Sequence, residues 1–280
     1  MIHCSDFSFQ YTNSSRFALQ SINLTIPKGS FTGITGASGA GKTTLAHALS
    51  GVIPHHYRGD YYGCVTIDGL DTVETPLEVL SRHVGSVFSD VDAQMVSSVV
   101  EDEILFGLEN FGVPRDELEN RLSSALEMAG IQNLRFRGIA SLSGGQKQKV
   151  AVCAVCALQP DILVLDEPTA ELDPQSSRMI FEMLQKLNRK FGTTIVVVEQ
   201  KMMLLSEFCR HLVVLDGGSV LLKGTVREVL SHSAQLKEAG VNCPRVCDLA
   251  DLMNQLGLYH GETPVTIAEA EQMVRCILND

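Results

Sequence analysis

Residues 36–43 read GASGAGKT and residues 162–167 read ILVLDE. The first has the spacing G-x-x-x-x-G-K-[ST], which suits the handling of a phosphate chain. Its glycines let backbone N–H groups turn inward around phosphate oxygens, its lysine brings positive charge and its hydroxyl can meet a metal ion. The candidate nucleotide-binding residues are therefore Gly36, Ala37, Ser38, Gly39, Ala40, Gly41, Lys42, Thr43 and Thr44. Lys42 would reach the β- and γ-phosphates, and Thr43 would bind Mg2+. The second stretch delivers two carboxylates from an apolar run. Asp166 would hold Mg2+, directly or through water, and Glu167 would orient or deprotonate an attacking water. By itself an apolar strand ending in Asp-Glu is as readily a solvated strand end; the phosphate loop gives it weight.

Two further stretches bear on the same chemistry. Residues 142–146 read LSGGQ. Ser-Gly-Gly at a helix start is a second anion-binding terminus. One chain already has its own phosphate loop, so a second such device points to a nucleotide held by a partner. Residues 194–201 read TIVVVEQK, an apolar strand that stops at Glu199 and Gln200. In an open α/β sheet the residues just past a strand's C-terminal end face the ligand crevice.

These residues need a sheet and helices to hold them. Strand-like runs fall at 2–9, 22–26, 31–34, 64–67 and 84–88. The phosphate loop follows one of these and opens a helix at 42–49, as the motif requires. A helical block at 99–129 is interrupted at GVPRD, where Pro114 suits the first turn of a new helix. A helix at 144–158 leads to a strand at 162–165, a helix at 174–190 leads to the strand at 194–198, and strands at 212–215 and 219–222 close the sheet. The βαβ alternation predicts a largely parallel sheet covered by helices. After about residue 230 the patterns become short and helical, broken at Pro244, Gly257 and Pro264.

Composition narrows the partners. The chain has 280 residues and net charge −11, against the clustered Lys and Arg that nucleic acid requires and against polybasic attachment to anionic lipid. No stretch approaches the roughly 20 apolar residues that span a bilayer, and the start, MIHCSDFSFQ, lacks the pattern of a signal peptide, so a cytoplasmic location is expected. A mean hydropathy of +0.11 suggests that some apolar surface is covered by a partner. Cys153 and Cys156 form a CxxC within the apolar helical run KVAVCAVCALQ; small buried thiols are the better reading there than a zinc or redox pair.

LSGGQ, together with GASGAGKT and ILVLDE in this order, resembles the ATP-binding-cassette (ABC) ATPases. The resemblance implies an α/β phosphate-loop cassette with a mainly parallel sheet, an antiparallel β subdomain and a helical subdomain, spanning 1–230 with the helical subdomain about 90–158. It implies ATP and Mg2+ as ligands and a head-to-tail pair of cassettes, in which Ser143, Gly144, Gly145 and Gln146 close over the other cassette's ATP. Tyr11 falls where the family stacks an aromatic on adenine. Leu172 and Asp173 match the loop that crosses the dimer interface, and Asp173 also reads as a helix N-cap before Pro174.

Residues 99–114, VVEDEILFGLENFGVP, and 238–258, EAGVNCPRVCDLADLMNQLGL, resemble the cassettes of energy-coupling-factor transporters, importers of vitamins and metal ions. That branch implies a peripheral ATPase on the cytoplasmic face of the membrane, bound to a membrane coupling protein and through it to a substrate-capture subunit. Residues 88–108 would form much of the groove for the coupling helices, with Glu101, Asp102 and Glu103 as possible partners of arginine. Residues 231–280 would be a helical extension and dimerisation element. Leu249, Leu252, Met253 and Leu256 have a spacing consistent with burial.

Two catalytic positions depart from the family pattern. Residues 87–94 read VFSDVDAQ where the branch has something like VFQNPDDQ, so Ser89 replaces the glutamine that contacts Mg2+ and the attacking water. Gln94 is a conceivable substitute, because five residues span up to roughly 17 Å. Gln200 stands where the family carries a histidine. Its amide can still donate to a γ-phosphate but can neither become cationic nor carry a proton. Losing one charge-matched contact costs on the order of 10² to 10³ in rate. The expectation is an ATPase whose own site is slow, with a heterodimer more economical than a homodimer. A soluble cassette acting on DNA or ribosomes is disfavoured by the acidic charge and the lack of basic, zinc or coiled-coil insertions. The alternatives are a regulatory cassette that binds ATP with little hydrolysis, where Glu167 argues against complete loss, and the ATPase subunit of another ABC transporter. The cargo is not legible in this chain.

Overall fold

The computed structural model describes residues 1–279. Ten strands form two sheets. β1 (Ile2–Tyr11), β2 (Leu19–Ile26), β4 (Gly59–Ile67) and β5 (Leu70–Asp71) make an antiparallel sheet in the order β2-β1-β4-β5. β3 (Phe31–Gly36), β6 (Val84–Val87), β7 (Ile162–Asp166), β8 (Thr194–Val198), β9 (His211–Asp216) and β10 (Ser219–Thr225) make the second, in the order β10-β9-β3-β8-β7-β6. Within it β9, β3, β8, β7 and β6 run parallel, and β10 returns antiparallel along β9. The antiparallel subdomain, the parallel sheet and its helices are those the sequence implies.

Every residue of β7 and β8 is buried, as expected of near-continuous apolar runs covered on both faces. Their side chains alternate between two cores. Leu163, Leu165, Ile195 and Val197 join the core beneath the helices, with Ile180, Phe181 and Leu184 of the helix Pro174–Phe191. Ile162, Val164, Val196 and Val198 join the core shared with the antiparallel sheet and with Leu45 and Leu49 of the helix Lys42–Leu49. The parallel sheet is thus held from both sides, and the C-terminal ends of β3, β7 and β8 project the residues that could do chemistry.

The helical block contains the helices Val100–Asn110, Arg115–Ala129 and Gly144–Ala157. Val100, Ile104, Leu108, Leu122, Leu126, Val150 and Cys153 pack together there. Pro114 is the N-cap before Arg115 instead of the first helical residue. Cys153 and Cys156 are fully buried, and burial raises the Cys153 thiol to about 12, which fits small core side chains.

After β10 come the helices Val226–Leu230, Ser233–Glu238, Arg245–Gln255 and Ile267–Asn279. Arg227 ties this tail together: its Nη1 donates to the Thr263 carbonyl at 2.6 Å and its Nη2 to Glu269 at 3.1 Å. The Leu249–Leu256 stripe is not buried within this chain. Leu252 is 50% and Leu256 61% exposed, and the helix buries Cys247 and Ala250 instead, because the tail covers the opposite side of that helix.

Candidate functional site

The phosphate loop bends between β3 and the helix Lys42–Leu49. Gly41 has φ 96°, and a Cβ there would lie 2.6 Å from the Ala18 carbonyl oxygen, so both backbone and space select glycine. Lys42 is 6% exposed. Its Nζ donates to the Gly36 carbonyl at 2.9 Å and the Ala37 carbonyl at 2.8 Å, holding the ammonium inside the loop. A cavity of about 270 Å³ lies over the loop, lined among others by Ser38, Gly39, Lys42, Thr43, Thr44, Glu167 and Gln200. The structure therefore brings the phosphate loop, the strand-end glutamate and the strand-end glutamine to one hollow.

Asp166 closes β7 at 1% exposure, and neither carboxylate oxygen has a well-formed hydrogen-bond partner. Burial is the main influence and raises its pKa, while the Thr43 hydroxyl beside it pulls in the opposite direction. Two orphaned, buried carboxylate oxygens next to a hydroxyl fit a hard cation that prefers oxygen ligands. Asp166 and Thr43 are the residues that would hold Mg2+, which supplies charge neutralisation to phosphate oxygens.

Glu167 leaves the strand with φ 50°, an uncommon conformation for a residue with a side chain. Its N–H donates to the Val198 carbonyl at 2.9 Å, and its Oε1 accepts from Gln200 Nε2 at 2.7 Å. This sharp departure parts the two acids: Asp166 turns inward and Glu167 toward the hollow. Gln200 is itself positioned by Glu199, which is 2% exposed. The Glu199 carboxylate accepts from the Gln200 N–H at 2.8 Å, from the Lys201 N–H at 3.2 Å and from the Thr169 hydroxyl.

Tyr11, at the end of β1, is half-buried, and burial raises its pKa. Its hydroxyl meets the Thr44 Oγ1 at 3.1 Å, and its ring packs edge-on against Phe9 and Tyr57. That places an aromatic beside the phosphate-loop helix.

Ser89 is exposed and is absent from the lining of the hollow. Gln94 is tied elsewhere: its Oε1 accepts from the Phe88 N–H at 2.9 Å, closing the loop 88–94 on itself. The possibility that Gln94 substitutes for the missing glutamine is not supported, because its carbonyl end serves the loop's own backbone.

Ser143 and Gln146 form a capping box at the start of the helix Gly144–Ala157, with Gln146 Oε1 accepting from the Ser143 N–H at 3.0 Å. The Glu171 carboxylate lies so close to Gly144 that a Cβ there would collide with it. Asp173 caps the helix Pro174–Phe191 by accepting from the Ser176 N–H at 3.0 Å, and the Ser176 hydrogen bonds hold its carboxyl below the usual range. Among the acids at 101–103, Glu101 pairs with Arg135 of the same chain at 3.0 Å. Glu103 accepts from the Val96 and Ser97 N–H groups at 3.0 and 2.7 Å. The arginine expected from a partner is, for Glu101, an internal one.

The sequence reading stopped at Gln200 and missed Lys201. Its Nζ donates to the Thr169 carbonyl at 2.7 Å, the Leu172 carbonyl at 3.1 Å and the Ser177 Oγ at 2.8 Å. A third polar residue at the end of TIVVVEQK was the available signal.

A protein-family model described as "ABC transporter" matches residues 19–170. A protein named as an ABC transporter ATP-binding protein in Pyrococcus horikoshii is 38% identical, over 92% of this chain and 91% of its own length. One with the same description in Methanosarcina mazei is 34% identical over 89% of this chain, which spans only 43% of that longer relative. Among solved structures, CbiO1 from Clostridium perfringens, described as part of the ABC transporter complex CbiONQ, superposes with TM-score 0.73. It is 29% identical, over 89% of this chain and 98% of that one. A dimeric, post-hydrolysis state of the cassette MJ0796 bound to ADP and Pi superposes at 0.72, with 26% identity over 81% of this chain and 99% of that one. The fold, the hollow over the phosphate loop and these likenesses converge: the chain belongs to the ABC transporter family, as its ATP-binding cassette, the ATPase component.

Proposed function

We propose that this cassette binds Mg-ATP at the phosphate loop, Asp166 and Tyr11 and energises an importer of the energy-coupling-factor type. In this reading it works as one half of a heterodimer whose own site is the slower of two. The observation that carries the slow site is the Gln200–Glu167 contact of 2.7 Å. Where the family's histidine would stand, an amide holds the acid, and an amide cannot carry a proton or a positive charge. The exposed Ser89 supports the same reading, because it leaves the hollow without a second glutamine. Ser143, Gly144, Gly145 and Gln146 are intact and can complete the partner cassette's site, with Asp173 crossing between the two.

The likeness to CbiO1 supports the energy-coupling-factor branch, as do the four helices beyond β10. Relatives of which this chain spans 41–43% have room for a second cassette in one polypeptide, in keeping with paired but non-identical halves. In the segment 88–108 the exposed Val96 and Phe106 are apolar contacts for the coupling protein. The exposed Leu252 and Leu256 suit a tail that pairs with another tail. No helix among the described residues is long and apolar enough to cross a membrane, consistent with a peripheral subunit on the cytoplasmic face. The cargo is a vitamin or a metal ion, selected by a different polypeptide.

Single-turnover hydrolysis by the purified chain, reconstituted with its coupling protein and compared with Glu167→Gln, tests this. Slow turnover that Glu167→Gln abolishes, with acceleration on adding the partner cassette, is the expected result. Turnover by the chain alone at the rate of the mixed pair would refute the heterodimer with a slow site. No effect of Glu167→Gln would instead favour a regulatory cassette, the reading that Ser89 and Gln200 also permit.

A further inference from the structure

The three residues that follow β8 all reach the same stretch of chain. Glu199 binds the Thr169 hydroxyl, Gln200 binds the Glu167 carboxylate, and Lys201 binds the carbonyls of Thr169 and Leu172 and the Ser177 hydroxyl. The segment 167–177 runs from the acid in the hollow to Asp173 and the first turn of the helix Pro174–Phe191. Lys201 meets it in an unusual way. An ammonium has three donors, and here all three are spent within residues 169–177, on two backbone oxygens of the loop and a hydroxyl of the helix that follows it, at 2.7, 3.1 and 2.8 Å. Two carbonyls converging on one point repel each other unless a cation lies between them. Lys201 therefore sets the bend of residues 169–172. The link continues, because Ser177 Oγ donates in turn to the Asp173 carbonyl at 2.9 Å.

Lys201 follows directly on Gln200, and both N–H groups share the Glu199 carboxylate. The backbone that carries Gln200 and the backbone that carries Lys201 are thereby tied to one buried carboxylate. On the same loop, the Glu171 carboxylate and the Leu172 side chain pack against Gly144 and Gly145. The loop held by Lys201 thus lies between the hollow and the Ser143–Gln146 turn.

We propose that Lys201 is a positioning residue that couples the occupancy of the hollow to the conformation of residues 169–173. It rests on the reading above only in taking ATP as the occupant of the hollow and residues 172–173 as interface. Gln200 senses the terminal phosphate; Lys201 passes its position to the loop that faces the second cassette.

Hydrogen–deuterium exchange on the full chain, with and without Mg-ATP, tests the coupling without need of a partner. In the unaltered chain, Mg-ATP slows exchange at both the phosphate loop and residues 169–177. Lys201→Met keeps the aliphatic stem. It should bind ATP within about twofold of the unaltered chain, yet exchange at 169–177 about tenfold faster without nucleotide. In that variant Mg-ATP should still protect the phosphate loop but no longer residues 169–177, and single-turnover hydrolysis should fall about tenfold at unchanged ATP affinity. Lys201→Arg, which keeps charge and donors, should restore part of the response. Should Lys201→Met lower the melting temperature, Ser177→Ala removes one of the three acceptors and serves the same comparison with a smaller effect. Unchanged exchange at 169–177 in Lys201→Met, with the ATP response intact, overturns the coupling. Failure of the unaltered chain to bind ATP would sink the proposed function instead, while nucleotide-free exchange would still report on the Lys201 contacts.

Discussion

Gln200 and Glu167, on neighbouring strand ends, are joined by an amide-to-carboxylate hydrogen bond of 2.7 Å. The bond spans 33 positions of sequence, yet needs only the adjacency of β7 and β8 to form. It gives the acid a fixed direction, which favours the alignment of a water. It occupies one lone pair of the carboxylate that would act as base in the proposed function, and the group across the bond has no means of passing a proton on. In the proposed function this makes the pair a means of orientation without relay.

Exchanging Gln200 for histidine should raise single-turnover hydrolysis by about a hundredfold to a thousandfold, the range lost when one charge-matched contact is removed. ATP affinity should change much less. A rate equal to or below that of the unaltered chain would show that Gln200 is not what slows the site.

The loop 88–94 gives a paired expectation. Gln94→Ala should cost about 1 kcal/mol of stability through its lost bond to the Phe88 N–H, seen as a modest fall in melting temperature, with hydrolysis little affected. Ser89→Gln, by contrast, should speed hydrolysis. If Gln94→Ala were as damaging as Glu167→Gln, Gln94 would be acting in catalysis after all.

Asp166→Asn should remove the gain in ATP affinity that Mg2+ confers and leave metal-free nucleotide binding near normal. Titrations of ATP with and without Mg2+ read this directly. Because the carboxylate is buried without a partner, the neutral amide should not lower the melting temperature of the metal-free protein; a marked drop would mean that Asp166 is a structural residue.

His47 supplies a pH dependence. Burial, with a smaller push from His56, lowers it from 6.5 to about 4, and its ring stacks on Tyr57. Between those values the unfolded chain holds a proton that the folded chain does not, so stability falls as the pH drops from 6.5 to 4 and the effect levels off below. Thermal melts across this range should decline more steeply for the unaltered protein than for His47→Phe, which keeps the stack and does not titrate. Equal slopes would exclude the assignment.

Much of this site was legible because its parts are local. GASGAGKT, ILVLDE and LSGGQ each carry their chemistry within a few consecutive residues, and the βαβ pattern brings the first two to one edge of a parallel sheet. What was not legible depends on side chains that meet across the fold. Nothing in the spacing of Gln94 reveals that its amide turns back to Phe88, and nothing around Glu101 announces Arg135. Lys201 is the sharpest case: a lysine after a strand reads as a solvated end until the carbonyls of Thr169 and Leu172 are seen converging on it. The stripe from Leu249 to Leu256 is a related case, since periodicity says that a face is apolar without saying whether this chain or another covers it.

The alternation of β8 between two cores limits how the cassette can respond to its nucleotide. A strand gripped on both faces cannot slide along its axis without unseating Val196 and Val198 on one side and Ile195 and Val197 on the other. Freedom begins only after Val198, where the chain leaves the sheet. In the proposed coupling, news of the terminal phosphate would therefore travel as the swing of a few side chains at a clamped beam's free tip, and would leave the site sideways, across to the neighbouring loop, instead of down the length of the sheet.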